Sequence, residues 1–195
     1  MTVGLRYSTF DLIGFISTII LFVSICVSIF YDLYSILTII KFLLIFVTAL
    51  IVFITKLNLI DKYYFNKYTM YLVILNIISL IFIGNPMIIN VLIILVTITT
   101  PNFQFINDKI EMKDRFIDKS LWLIFMTLVL LYIYIYDKKF FTCLKCMPHK
   151  IVNSLVLFAL FIPTVLYFID GKWLEYRALL LNFIIIITTI LKYIN

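Results

Sequence analysis

The stretch YTMYLVILNIISLIFIGNPMIINVLIILVTITTPNFQFIN, residues 68–107, contains no acidic or basic side chain. A helix that crosses the hydrocarbon core of a bilayer needs roughly 20 apolar residues, and this stretch is about twice that length. Gly84-Asn85-Pro86, near its middle, is typical of a tight turn. The stretch therefore predicts a membrane hairpin made of two spans.

The composition extends this prediction to the whole chain. Of the 195 residues, 65% are hydrophobic and 13% are charged, whereas soluble domains are nearer half apolar. Backbone in lipid must form helices or closed barrels, and these runs lack the alternation of a barrel strand. We expect an all-α fold, a polytopic transmembrane bundle of six to seven helices in one integral domain over residues 1–195, with the lipid bilayer as partner. The predicted spans are 12–31, 33–55, 68–83, 87–105, 120–136, 151–169 and 178–191.

The net charge of +6 falls mainly in short segments between the spans, where topology signals lie, so it requires no nucleic-acid partner. The distribution of Lys and Arg predicts a cytoplasmic or matrix-side amino terminus, in a bacterial plasma membrane or an organellar inner membrane. With seven spans, the basic loop 137–150 faces the other side. If residues 120–136 are instead re-entrant or interfacial, that loop returns to the amino-terminal side and six spans remain.

The most densely charged stretch is NDKIEMKDRFIDKS, residues 107–120, with four acidic and four basic residues. Glu111 precedes Arg115 by four positions, a spacing that favours a short surface helix. An ordinary solvated cytoplasmic loop between two spans is nevertheless the leading interpretation, because runs of charge usually lie on solvated surface, and the short surface helix is the alternative.

Lys41 is the only clear charge inside a predicted span. An intramembrane cation suggests an ion or substrate path, although a lysine stem can also extend toward the headgroups. Amide side chains inside the spans are candidates for hydrogen bonds between helices. They are Asn76, Asn90, Asn153 and Asn182.

Cys143, Cys146 and His149 form a C-x-x-C-x-x-H pattern in the basic loop. Three such ligands suggest a metal site, but a structural zinc site takes four. A disulfide or redox pair and an incidental grouping are the alternatives, and a pairing of thiol and imidazole is compatible with the spacing. No cofactor and no catalytic residue are predicted from this pattern.

The order of several features resembles the accessory gene regulator B family, polytopic proteins that process the precursor of a secreted signalling peptide. The features are Gly4-Leu5 before an apolar helix, Thr100-Pro101-Asn102 after a span, and Asp118-Lys119-Ser120 before another. The family acts through a His and a Cys in the loop before its third span. The corresponding residues 56–71, KLNLIDKYYFNKYTMY, contain neither, so the resemblance implies a member without the peptidase residues.

The sequence favours a non-enzymatic integral membrane protein, a structural or accessory subunit that packs against other membrane proteins. This prediction depends on the scarcity of charges, interrupted helices and repeats that transporters show. A small transporter or channel component that uses Lys41 is the first alternative. A peptide-processing or redox protein is the second.

Overall fold

A computed structural model describes residues 8–79, 81, 87–106, 109–113, 116–136 and 161–194. This part of the chain is mostly helical, as the all-α prediction requires. Its helices are α1 (Thr9–Phe30), α2 (Ile36–Lys56), α3 (Lys62–Ile78), α4 (Met87–Ile98), α5 (Phe116–Tyr136), α6 (Phe161–Asp170) and α7 (Trp173–Ile194). Strands β1 (Phe103–Ile106) and β2 (Lys109–Met112) form a small antiparallel sheet between α4 and α5.

Three helices, α1, α2 and α7, are long and apolar enough to cross a membrane. Their 22, 21 and 22 residues correspond to about 30 Å each at a rise of 1.5 Å per residue. The count of six to seven spans stays a prediction.

The three long helices pack against one another, α3 packs on α2 and α4, and α4 packs on α5. Asp11 near the start of α1 meets Lys56 at the end of α2, and Glu175 near the start of α7 meets β2. We call this the hairpin end. At the opposite end the rings of Tyr31 and Tyr193 lie 4.9 Å apart, so α1 and α7 run in the same direction and α2 runs against them.

Burial along α1 is largely the reverse of that in a soluble helix, although Leu21 and Ile25 are also buried. Its polar side chains face inward: Asp11, Ser17, Thr18, Ser24 and Ser28 are buried. Its large apolar side chains face outward: Leu12, Ile13, Ile16, Ile19, Ile20, Phe22 and Val23 are exposed. The hydroxyls of Ser17 and Thr18 each donate to the carbonyl oxygen of Gly14 at 2.8 Å, so part of their hydrogen-bonding capacity is met within α1.

The sheet corrects two expectations. The fourth span was predicted to reach residue 105, but α4 ends at Ile98, and the following Pro101 and Phe103 belong to the connection and to β1. The short surface helix, the alternative interpretation of residues 107–120, is wrong for residues 109–112, which form β2. Alternation of apolar and polar residues, with one face buried, outweighs the single Glu111–Arg115 spacing.

Four helices, α1, α3, α5 and α7, begin earlier than predicted, and the difference is largest for α3 and α7. The seventh was expected as a short span from residue 178, but α7 starts at Trp173 and equals α1 in length. The third starts at Lys62 rather than residue 68, with Asp61 as its N-cap. Charged and tyrosine residues at these starts do not interrupt a helix. The predicted turn Gly84-Asn85-Pro86 lies outside the described residues.

Candidate functional site at the hairpin end

The β-hairpin has one apolar and one mainly polar face, as its alternating sequence requires. The buried face carries Phe103, Phe105, Ile110 and Met112. In the register, Phe103 pairs with Met112 and Phe105 pairs with Ile110, so these four side chains form two cross-strand pairs on the same side. Gln104, Glu111 and Lys109 occupy the outer face.

Two helices hold the outer edges of this hairpin. The backbone N–H of Phe105 donates to Oδ1 of Asn66 in α3 at 2.7 Å. The N–H of Ile110, directly opposite, donates to Oε1 of Glu175 in α7 at 3.2 Å. Unpaired N–H groups on a sheet edge are open to pairing with another chain. Here α3 and α7 satisfy one such group on each strand, which fixes the hairpin between them.

Aromatic rings form the base on which the hairpin lies. The centroids of Trp122 in α5 and Trp173 in α7 are 4.7 Å apart at 73°, an edge-to-face arrangement that ring quadrupoles favour. Phe103 lies 6.0 Å from Trp173 and 6.1 Å from Trp122. All three side chains are buried, so β1, α5 and α7 share one aromatic core.

Charged side chains gather beside this core. We define the charge cluster as Asp11, Lys56 and Glu175. The Lys56 ammonium lies 3.7 Å from Oδ1 of Asp11, whose Oδ2 accepts a 2.6 Å hydrogen bond from Ser8. Glu175 is 0% exposed and lies at the same end of the bundle as the Lys56–Asp11 pair. Buried charges persist when they are paired and hydrogen-bonded in this way.

The two carboxylate oxygens of Glu175 differ in their hydrogen bonding. Oε1 of Glu175 accepts the bond from Ile110, whereas Oε2 is buried and has no hydrogen-bond partner among the residues that the structure describes. Such a group in a native interior calls for an explanation by chemistry or by a further ligand. Among the described carboxylates, only Glu175 has a buried oxygen of this kind.

These charges correct the prediction that Lys41 is the only clear charge within a span. The helices extend far enough to include Asp11, Lys56, Glu175 and Arg177. The Arg177 guanidinium lies 4.8 Å from the ring centroid of Trp173. The sequence does place Asp11 and Glu175 within a few residues of apolar runs. Both residues are nevertheless predicted to belong to the segments that connect the spans.

Interhelical hydrogen bonds from two of the four predicted amides are confirmed. Asn182 in α7 donates to the hydroxyls of Ser17 at 3.1 Å and Thr18 at 2.9 Å in α1. Asn76 in α3 donates to Thr48 of α2 at 2.7 Å and to the carbonyl oxygen of Leu44 at 3.2 Å. Asn153 lies outside the described residues.

The three candidate metal ligands Cys143, Cys146 and His149 also lie outside the described residues, so their interpretation stays a prediction. Within residues 8–79, 81, 87–106, 109–113, 116–136 and 161–194, no three His, Cys, Asp or Glu side chains come together as a metal-binding group.

Comparison with protein-family models, curated proteins and solved structures finds no match. Functional inference for this chain therefore starts from its own residues and their geometry.

Proposed function

We propose that this chain is a polytopic integral membrane protein of seven spans that serves, without enzymatic chemistry, as a structural or accessory subunit of a membrane complex. The observation that carries the proposal is the reversed burial of α1, with hydroxyl and carboxyl groups inside and Ile, Leu and Phe outside. In water such a helix would expose far more apolar surface than a monomeric soluble protein tolerates. In lipid the same arrangement is favourable, because polar groups find partners only in the interior.

The order of the helix ends supports seven spans. The start of α1, the end of α2 and the start of α7 meet at the hairpin end, and the sheet joins the end of α4 to the start of α5 there. All these positions are explained if each helix from α1 to α7 runs in the opposite direction to the helix before it. The excess of Lys and Arg near the hairpin end supports a cytoplasmic or matrix orientation for it.

A packing role accounts for most polar contacts between the helices. Asn182 bonds to α1, Asn76 bonds to α2, and Lys56 pairs with Asp11. Hydrogen bonds of this kind hold membrane helices in a fixed register. The exposed apolar faces of α1 and α2 then remain for lipid or for helices of a partner subunit.

Two steps of one purification test the proposal. Alkaline carbonate extraction of membranes should leave the chain in the pellet, since transmembrane helices resist it. Solubilisation in mild detergent, followed by native mass spectrometry, should yield a large assembly with the same members in each preparation. Release by carbonate would contradict membrane integration. A clean monomer or small homo-oligomer would contradict the subunit role alone.

A second function is favoured by the charges at the contact of α1, α2 and α7. Lys41 and Arg177 lie inside two of the candidate spans, and the orphan Oε2 of Glu175 is at the hairpin end. Intramembrane charges commonly mark ion or substrate paths. In proteoliposomes, a small transporter would show a proton or ion flux that Lys41→Leu abolishes and that Lys113→Gln, on the exposed hairpin, leaves unchanged. Equal, protein-independent leakage in all samples would exclude this function.

A further inference from the structure

The first turns of α3 present an unusual outer surface. Tyr63, Tyr64, Lys67, Tyr68 and Tyr71 are all exposed. At 100° per residue these positions fall within an arc of about 140° on one side of the helix. The opposite side carries the buried Phe65, Thr69, Val73 and Ile77, so the tyrosine and lysine face is the one turned away from the protein.

This outer face changes in character along the helix. Beyond Tyr71 the same arc continues with Ile74, Leu75 and Ile78, which are aliphatic. Tyrosine and lysine are the residues that prefer the interface between headgroups and hydrocarbon, whereas Ile and Leu prefer the hydrocarbon itself. The change after Tyr71 therefore places the first turns of α3 at the depth of the headgroups.

Lys67 lies at the centre of this surface. Its ammonium is 5.9 Å from the ring centroid of Tyr63 and 5.3 Å from that of Tyr68, both within the range of a cation–π contact. Tyr63 and Tyr64 are themselves fixed edge to face at 5.7 Å, and the N–H of Tyr63 is held by Oδ1 of Asp61 at 2.9 Å. No described carboxylate lies within 4.0 Å of the Lys67 ammonium. The site is thus a positive charge between two phenol rings.

We infer that Lys67, Tyr63 and Tyr68 bind the phosphate of an anionic phospholipid headgroup. The charge of Lys67 complements the phosphate, and phenol hydroxyls are suitable donors to its oxygens. The acyl chains of the same lipid would follow the aliphatic surface beyond Tyr71. Lys62, whose ammonium lies over the ring of Phe105 in the hairpin, and the exposed Lys109 and Lys113 lie at the same end of the bundle as Lys67, so this end carries further positive charge. The inference rests on the proposed membrane integration.

The test is lipid retention in native mass spectrometry. Wild-type protein is placed in nanodiscs of phosphatidylcholine with 20% phosphatidylglycerol, released, and stripped stepwise with detergent. We expect one phosphatidylglycerol to remain bound under conditions that remove phosphatidylcholine. Lys67→Gln should weaken that retention about fivefold, the effect of one lysine near an anionic lipid. Lys67→Arg should preserve it, and a double change of Tyr63 and Tyr68 to Leu should weaken it.

The matched control is Lys113→Gln, which removes an equal charge from the exposed hairpin. Equal loss with Lys113→Gln and Lys67→Gln would overturn the inference, because general charge attraction would then explain the binding. Equal retention of both lipids by the wild type would overturn it as well. In either case normal incorporation into nanodiscs would leave the membrane proposal standing. Failure of the wild type to incorporate would overturn both.

Discussion

Gly14 of α1 lies directly against the ring of Phe53 in α2. A Cβ atom at this position would lie 2.0 Å from Cε1 and 2.3 Å from Cζ of Phe53, far inside van der Waals contact. Phe53 is 0% exposed, so its ring cannot turn aside into solvent or lipid. A small residue at such a crossing lets two membrane helices pack closely.

The variant Gly14→Ala should therefore destabilise the folded chain by about 1–3 kcal/mol, the usual cost of inserting a methyl group into a full interior. Unfolding by SDS titration in mixed micelles, followed by tryptophan fluorescence, would measure the loss. The double variant with Phe53→Leu should recover part of it. If Gly14→Ala has wild-type stability, the close contact is not real.

Asn182 joins α7 to α1 through two hydroxyls. Replacement by Leu should cost about 0.6–1.7 kcal/mol, the range measured for single hydrogen bonds between membrane helices. In a double-mutant cycle, Asn182→Leu and Thr18→Val should be less than additive, because each removes the same bond. Ser24→Ala is the control, since the Ser24 hydroxyl bonds to Ile20 within its own helix. Strict additivity with Thr18→Val would contradict the contact.

At the residue scale, the type of a side chain predicts its contacts better than its position in the sequence does. Asn76 and Asn182 could be predicted as interhelical donors because an amide in a long apolar run has few other partners. The burial of Glu175 could not be predicted, because its partner Ile110 N–H is 65 residues away. No local pattern in the sequence reports a contact at that separation.

The two edges of the hairpin depend on hydrogen bonds to distant residues. Glu175→Leu removes the acceptor for the Ile110 N–H, and Asn66→Leu removes the acceptor for the Phe105 N–H. Each change should accelerate amide hydrogen exchange in the affected strand by about five- to tenfold, as expected when roughly 1 kcal/mol of protection is lost. Exchange mass spectrometry with peptides that cover 103–106 and 109–112 separately would resolve the two strands.

Glu111→Gln provides the control for this experiment, because the Glu111 side chain points away from the core on the exposed face of β2. It should leave exchange unchanged in both strands. Acceleration in β2 from Glu111→Gln, equal to that from Glu175→Leu, would mean that α7 does not hold the hairpin edge.

At the element scale, the sequence of the hairpin contains an alternation of apolar and polar residues that is typical of strands. The high hydropathy of the preceding residues hides this pattern. Phe103 and Phe105 alternate with Gln104, and Ile110 and Met112 alternate with Lys109 and Glu111. Asn107-Asp108 between the strands are residue types common in turns. Because β1 follows a long apolar run, its two phenylalanines read as the end of a span. The period of two is visible only when the charged residues of β2 are taken together with it.

At the scale of the whole molecule, the positions of the helix ends predict which residues lie on the same side of the membrane. In a background with Cys26, Cys143 and Cys146 changed to Ser, Lys113→Cys on the hairpin end and Ile36→Cys at the opposite end should lie on different sides of the membrane. In intact cells an impermeant maleimide should label Ile36→Cys and spare Lys113→Cys, with both labelled after permeabilisation. Labelling of both in intact cells would contradict a bundle that spans the bilayer between these ends.

The all-helical class was predictable at this scale because apolar content alone restricts the backbone to internally bonded structures. Helix ends were less predictable, as α3 and α7 show by starting several residues early. Tyr, Trp and Lys belong equally to a helix and to the interface around it, so a change of polarity does not mark the end of the hydrogen-bonded backbone.

The contact of Glu175 with Ile110 can form only late in biosynthesis, because Glu175 is synthesised 65 residues after Ile110. A ribosome makes β2 long before α7, so the nascent hairpin has its Phe105 edge held by the earlier Asn66 while its Ile110 edge waits for Glu175. The same late helix supplies the amide that joins α1 and one of the two tryptophans of the aromatic core. Insertion of α7 thus completes contacts begun by helices made much earlier. A chain stalled before Trp173 would leave the Ile110 N–H at the strand edge without its Glu175 acceptor.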